Sequence, residues 1–123
     1  MVFAVLRFRE FGIRRIAYVD LDAHFCDGVA SAFSEDPDVM LVSAHEANRW
    51  PFLGKLEENF PDKNLYAPIS KGSTDIDLEA LFEYIFYPAI ENFKPEALIV
   101  QGGALTSGFY GELSSIHIGL IIP

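Results

Sequence analysis

The sequence has one cysteine, Cys26, in 123 residues. An internal disulfide is therefore excluded, and with it the small secreted domains built on a disulfide framework. Basic residues are scarce: 9 Lys and Arg stand against 18 Asp and Glu, a formal net charge of −9. A nucleic-acid surface needs the opposite sign, so DNA and RNA are discounted as direct partners. No apolar run reaches the about 18 residues that a membrane span requires. The apolar start, Met1 to Leu6, is interrupted at once by Arg7, Arg9 and Glu10. A signal peptide has its charges first and a small-residue cleavage site after the apolar stretch. There is no G-x-x-x-x-G-K-[ST] phosphate loop and no G-x-S-x-G nucleophile elbow. The expectation is a cytoplasmic protein without a membrane anchor. What is present is apolar: 50% of residues are hydrophobic and 11 are phenylalanine. That composition excludes intrinsic disorder and suffices for one compact domain spanning residues 1–123.

Along the chain, Val2, Phe3, Leu6 and Phe11 fall at helical spacing and Gly12 ends the pattern, which predicts a helix over 2–11. Residues 15–20, 39–43 and 97–101 read as strands, and their continuous apolar runs suit a parallel sheet buried on both faces. A short helix is expected over 28–33, and residues 44–74 read as irregular. Thr74 suits an N-cap, with Asp75 and Asp77 in the first turn of a long helix. Its buried stripe is predicted as Leu78, Leu81, Phe82, Ile85, Phe86, Ala89 and Phe93, with a kink at Pro88. The tail 116–122 is a candidate fourth strand. Alternating helices and strands predict an α/β fold of three layers around a parallel sheet.

The chemistry concentrates in Tyr18-Val19-Asp20-Leu21-Asp22-Ala23-His24-Phe25-Cys26-Asp27-Gly28. Asp20, Asp22 and His24 alternate as they leave a strand, and a spacing of two puts side chains on one side of an extended backbone. Two carboxylates and an imidazole there suit a divalent cation. From spacing alone a second reading stays open: Asp20 caps a turn, Asp22 is solvated and His24 packs. Cys26 reads either as a soft ligand or as a packed thiol. His45 is a metal neighbour or an ordinary hydrogen-bonding group, His117 is structural, and Glu57-Glu58 is a solvated pair. Gly102-Gly103 gives a tight turn.

The Tyr18–His24 segment, with Asp27-Gly28-Val29 and Ala32-Phe33, resembles the metal-binding segment of the histone deacetylase family, including its bacterial acetoin-utilisation and acetylpolyamine amidohydrolase-like members. Asp36 to Met40 and Val42 to Glu46 are similar to the turn and strand that follow. Arg49-Trp50-Pro51-Phe52 to Gly54 resembles a bacterial form of the next loop. Phe93 to Ala104 resembles the strand before the last metal ligand. The resemblance runs in consistent order over residues 2–104. It implies an arginase-like α/β fold and one zinc. It also implies hydrolysis of acetyl amides, acetyl-lysine or acetylated polyamines, by a zinc-activated water with histidine as acid or base. Asp22 and His24 match the first two zinc ligands, and Asp20 matches a supporting acid. Asp20, Asp22, His24, Ser43 and Ala44 together match a potassium site.

The sequence also departs from the pattern. The resemblance implies an aspartate as third zinc ligand after Gly103-Ala104, where this chain has Leu105. Thr106-Ser107-Gly108-Phe109-Tyr110 replace the family's paired glycines and Asp-Pro turn, whereas Gly111-Glu112-Leu113 resembles its next step. Phe25-Cys26 replace a His-Gly pair. The catalytic histidine pair and tyrosine have no match, so the chain resembles the middle of the enzyme. The expectation is a diverged, truncated deacetylase-like protein with zinc weak or absent and activity impaired or lost. A non-enzymatic oligomeric α/β binding module is the alternative, and a hydrolase rebuilt from two copies is a third reading. In each, a homo-oligomer is the expected assembly, and an acetylated small molecule or peptide the expected ligand.

Overall fold

The computed structural model describes residues 1–60 and 63–102. Its helix α1 (Val2–Glu10) closes on a Schellman turn. Gly12 takes φ +86°, its N–H donates to Arg9 O at 2.9 Å, and the Ile13 N–H donates to Phe8 O at 3.1 Å. The buried face is not the predicted one. Val5 is fully buried and Met1, Val2, Ala4 and Phe8 pack around it, while Phe3 is 86% and Phe11 68% exposed. The helix is apolar on two sides, so periodicity alone leaves two faces in competition. Packing selects the side with Ala4 and Val5, and Arg9 fixes that choice through an ion pair with Asp36 at 2.7 Å. The same contact holds the Asp36 carboxyl below the usual carboxylate range.

The strands are β1 (Ile16–Asp20), β2 (Val39–Glu46), β3 (Asn64–Ile69) and β4 (Ala97–Gln101). They form one parallel sheet in the order β3-β2-β1-β4. β1 is buried at every position, as a central strand covered on both faces must be. On one face Tyr18, Leu41 and Ile99 pack with Val5 of α1 and with Val29 and Phe33 of α2 (Asp27–Phe33). On the other, Ala17, Val19, Met40 and Val42 pack against Phe86 and Phe93. The predicted three-layer α/β arrangement is the one observed.

Two expectations change. Residues 44–74 are not wholly irregular: β2 continues to Glu46, a single 3-10 turn spans Leu56–Glu58, and β3 follows. Pro68 would break an interior strand, but β3 lies at the edge of the described sheet, where a missing N–H is tolerated. β3 is thus the fourth strand of the described sheet, and the candidate strand at 116–122 lies outside the described residues.

The long helix is also interrupted. α3 (Asp75–Leu81) starts on the expected N-cap Thr74, which forms a capping box with Asp77, and passes through a π-helical turn at Phe82–Phe86 into α4 (Tyr87–Phe93). A proline inside a helix removes a hydrogen bond to the preceding turn, and a wider turn accommodates the loss. The extra width rotates the apolar register, so Ile90 packs inward and Ile85 is left half exposed. Arg15 then ties α4 to the sheet: its guanidinium bonds the Phe93 carbonyl and lies 4.3 Å over the Phe93 ring.

Candidate metal site at the carboxyl end of β1

In parallel sheets ligands bind beyond the carboxyl ends of the strands. Here Asp20 is the last residue of β1, level with Ser43 on β2 and Gln101 on β4. Beyond it the backbone is not extended, so the alternation argument stops at Asp20. Two successive Asx turns replace it. Asp20 Oδ1 accepts the Asp22 N–H at 2.9 Å, and Asp22 Oδ1 accepts the His24 N–H at 2.8 Å. These turns still bring two of the named side chains together, with His24 Nδ1 lying 2.9 Å from Asp22 Oδ1. Asp20, Asp22, His24 and Cys26 line one shallow cavity of about 330 Å³ with Met1 and Gln101.

Asp20 is buried, and its Oδ2 accepts the Tyr18 hydroxyl at 2.5 Å. Burial raises its carboxyl above the usual range despite that hydrogen bond, and burial beside Asp20 drives the Tyr18 hydroxyl far upward. Burial also pushes the Cys26 thiol up to about 12, so it is protonated at neutral pH. Tyr18 was not singled out in the sequence, although it lies two residues before Asp20 on the same strand face, a spacing that carries the signal.

Asp22 Oδ1 and His24 Nδ1 converge closely enough to serve as two corners of a tetrahedral zinc site. Among the described residues no group of three His, Cys, Asp or Glu side chains is placed to hold a metal ion. Leu105 and His117 lie outside the described residues, and a leucine side chain has no donor atom at all. Among the described residues the donor set thus fits zinc in part, with two of the three protein ligands of a catalytic site. Ser43 and Ala44 are fully buried on β2, and the Ser43 hydroxyl meets His45 Nδ1 at 3.1 Å. His45 makes ordinary polar contacts and packs its ring 5.2 Å from that of Phe25. Glu58 is more than a solvated acid, because its carboxylate accepts the Gly54 N–H at 3.2 Å.

The sequence model of the histone deacetylase domain matches residues 1–107. The chain belongs to the histone deacetylase family. Similar proteins include "Histone deacetylase 14, chloroplastic" of Arabidopsis thaliana, 35% identical over 99 residues, which are 77% of this chain and 23% of the relative. "Histone deacetylase HOS1" of Saccharomyces cerevisiae is 36% identical over 115 residues, 91% of this chain and 24% of the relative. "Histone deacetylase 1" of Homo sapiens is 32% identical over 109 residues, 85% of this chain and 22% of the relative. The chain therefore spans about a quarter of the length of the deacetylases it matches. No helix among the described residues of this histone deacetylase family member is long and apolar enough to cross a membrane.

His45 provides a pH prediction. Burial holds its pKa below the ordinary 6.5. The unfolded chain therefore takes up the proton first, so the stabilisation is complete above pH 6.5 and declines as pH falls below it. Asp20 works in the opposite sense, because its raised pKa lets the folded chain take up a proton on acidification. Urea midpoints at pH 7.5 and 5.5 in the parent and in His45→Asn isolate the histidine share. The variant should lose less stability on acidification than the parent, and equal losses would contradict the assignment.

Proposed function

We propose that this chain carries the metal-binding segment of a zinc-dependent amide hydrolase whose ancestral substrates are acetyl amides, acetyl-lysine or acetylated polyamines, and that its own activity is impaired or lost. The observation that carries this reading is the 2.9 Å convergence of Asp22 and His24 at the carboxyl end of β1, in a chain whose third ligand position holds Leu105. Asp22 and His24 would hold the zinc, and Asp20 would support them by fixing the turn that presents Asp22. Zinc bound there would supply Lewis acidity toward the acetyl carbonyl. A potassium ion is proposed beside it, at Asp20, Asp22, His24, Ser43 and Ala44. Two protein donors hold zinc less well than the three of a catalytic site.

Elemental analysis of the purified protein, paired with assays on acetyl-lysine peptides and acetylpolyamines, tests the proposal. Expected are substoichiometric, chelator-labile zinc and no turnover. Stoichiometric chelator-resistant zinc, or robust turnover abolished by His24→Ala, would refute the impaired-site reading.

The second reading, a non-enzymatic oligomeric module, is favoured by exposed apolar side chains. Phe3 and Phe11 stand out from α1, and Ile76, Tyr84 and Tyr87 from the α3–α4 side. Among the described residues β4 pairs only with β1, and its Ala97–Gln101 run carries none of the charges and prolines that usually blunt an edge. A closed homo-oligomer in the cytoplasm covers such surfaces at about 25 cal/mol per Å² of apolar area. Sedimentation equilibrium at micromolar concentration should show a dimer or larger closed assembly. A monomer that binds no hydrophobic dye would exclude it.

A further inference from the structure

β3 is an edge strand of the described sheet, and its residues, Asn64–Ile69, carry no charge. An uncharged, largely apolar edge is a template for another strand, because its outward N–H and C=O groups can pair with any extended backbone. The Leu41 N–H donates to the Lys63 carbonyl at 2.9 Å. A strand alternates, so residues 63, 65, 67 and 69 turn their backbone groups toward β2, and 64, 66 and 68 turn theirs outward.

Each of the three outward positions is closed in a different way. Asn64 exchanges both backbone bonds with Phe60, each at 3.1 Å. Pro68 has no N–H to offer. At Tyr66 the partner is a side chain. Asn59 Oδ1 accepts the Tyr66 N–H at 2.6 Å, and Asn59 Nδ2 donates to the Tyr66 carbonyl at 3.1 Å. A residue in an antiparallel ladder exchanges this same pair of bonds with the residue opposite. A carboxamide carries the donor and the acceptor of a peptide group, so Asn59 can stand in for a neighbouring strand. Both outward N–H groups of β3 are thus taken within the chain. Leu56 and Phe60, exposed on either side of Asn59 in the sequence, add apolar surface that an arriving strand would bury.

We propose that Asn59 locks the β3 edge: its side-chain amide fills the place of an added strand at Tyr66 and keeps a second copy of the chain from extending the sheet there. The inference is independent of the metal site, because neither Asn59 nor Tyr66 lines the cavity that holds Asp22 and His24. It is independent of the homo-oligomer too, because it concerns a contact that the parent chain prevents.

Sedimentation velocity of the full chain at micromolar concentration tests it, with Asn59→Ala, Asn59→Asp and Gly72→Ala beside the parent. Asn59→Ala opens the Tyr66 N–H and carbonyl, and its mass should at least double over that of the parent. Asn59→Asp still accepts the N–H and adds a charge at the edge, so it should keep the parent's mass. Gly72→Ala costs stability without touching the edge, since nothing lies within 4 Å of its added Cβ, and should also keep that mass. A folded Asn59→Ala protein with the parent's mass would overturn the proposal. So would equal growth of Gly72→Ala, the result expected if any loss of stability causes association. Amide hydrogen exchange of the parent gives a reading that needs no variant to fold. The Tyr66 N–H should be protected within about tenfold of those of Leu65 and Ala67, which face β2, and faster exchange than that would show the lock to be open.

Discussion

Gly54→Ala is expected to destabilise the fold by about 2–5 kcal/mol, combining roughly 1–2 for a side chain in the left-handed region with roughly 1–3 for forced overpacking. Gly54 has φ +75°, and a Cβ there would lie 2.3 Å from Phe25 Cδ2 and 2.8 Å from His45 Cε1. Neither ring is a flexible end that can swing clear. Phe25 is buried edge-on against both Tyr66 and His45, and His45 is buried on β2. Gly72→Ala is the control: its φ is +91°, but nothing lies within 4 Å of an added Cβ, so it should show the backbone cost alone. Urea unfolding of both variants measures the difference. If the two lose equal stability, the close approach of the 47–58 loop to Phe25 is not what the structure describes. The consequence reaches the candidate metal site, because Phe25 lines the cavity that holds Asp22 and His24.

Restoring a donor at position 105 should have the largest effect on metal binding. If Asp22 and His24 supply two ligands, Leu105→Asp supplies the third and completes a catalytic zinc set. The gain should exceed the roughly 10–100-fold that follows loss of a mere supporting partner. Competition against a chromophoric chelator measures the affinity, and thermal melts provide a second readout. Zinc at a hundred times its Kd stabilises the folded chain by about 2.7 kcal/mol, so the midpoint should rise with zinc in the variant far more than in the parent. Adding His24→Ala to Leu105→Asp should abolish the gain. No gain from Leu105→Asp in a folded protein would remove position 105 from the site. A gain that survives His24→Ala would remove His24 instead.

Much of this was legible in the sequence because it depends on neighbours along the chain. Ile16–Val19 and Val39–Val42 are continuous apolar runs, and such runs can be buried only where a sheet is covered on both faces. The Thr74–Asp77 capping box and the Gly12 stop act within a single helical turn. The run from Asp20 to His24 carries its own turn chemistry, since each aspartate bonds a backbone N–H two residues on. The tertiary structure decided what depends on residues far apart. α1 had two apolar sides, and only its packing against the sheet and the Arg9–Asp36 pair chose Val5 over Phe3. β3 holds Pro68 inside its apolar run, so it becomes a strand only because β2 offers it an edge, where the missing N–H is tolerated. Gly54 has no local signal for its requirement, which comes from the rings of Phe25 and His45. Asn64 lies in the stretch read as irregular, and it is buried only because β3 carries it to the Ser34 carbonyl, to which its Nδ2 donates. Preferences within a few residues are written locally, whereas the choice of face, the edge of a sheet and the satisfaction of a buried atom are settled only by what the folded chain brings alongside.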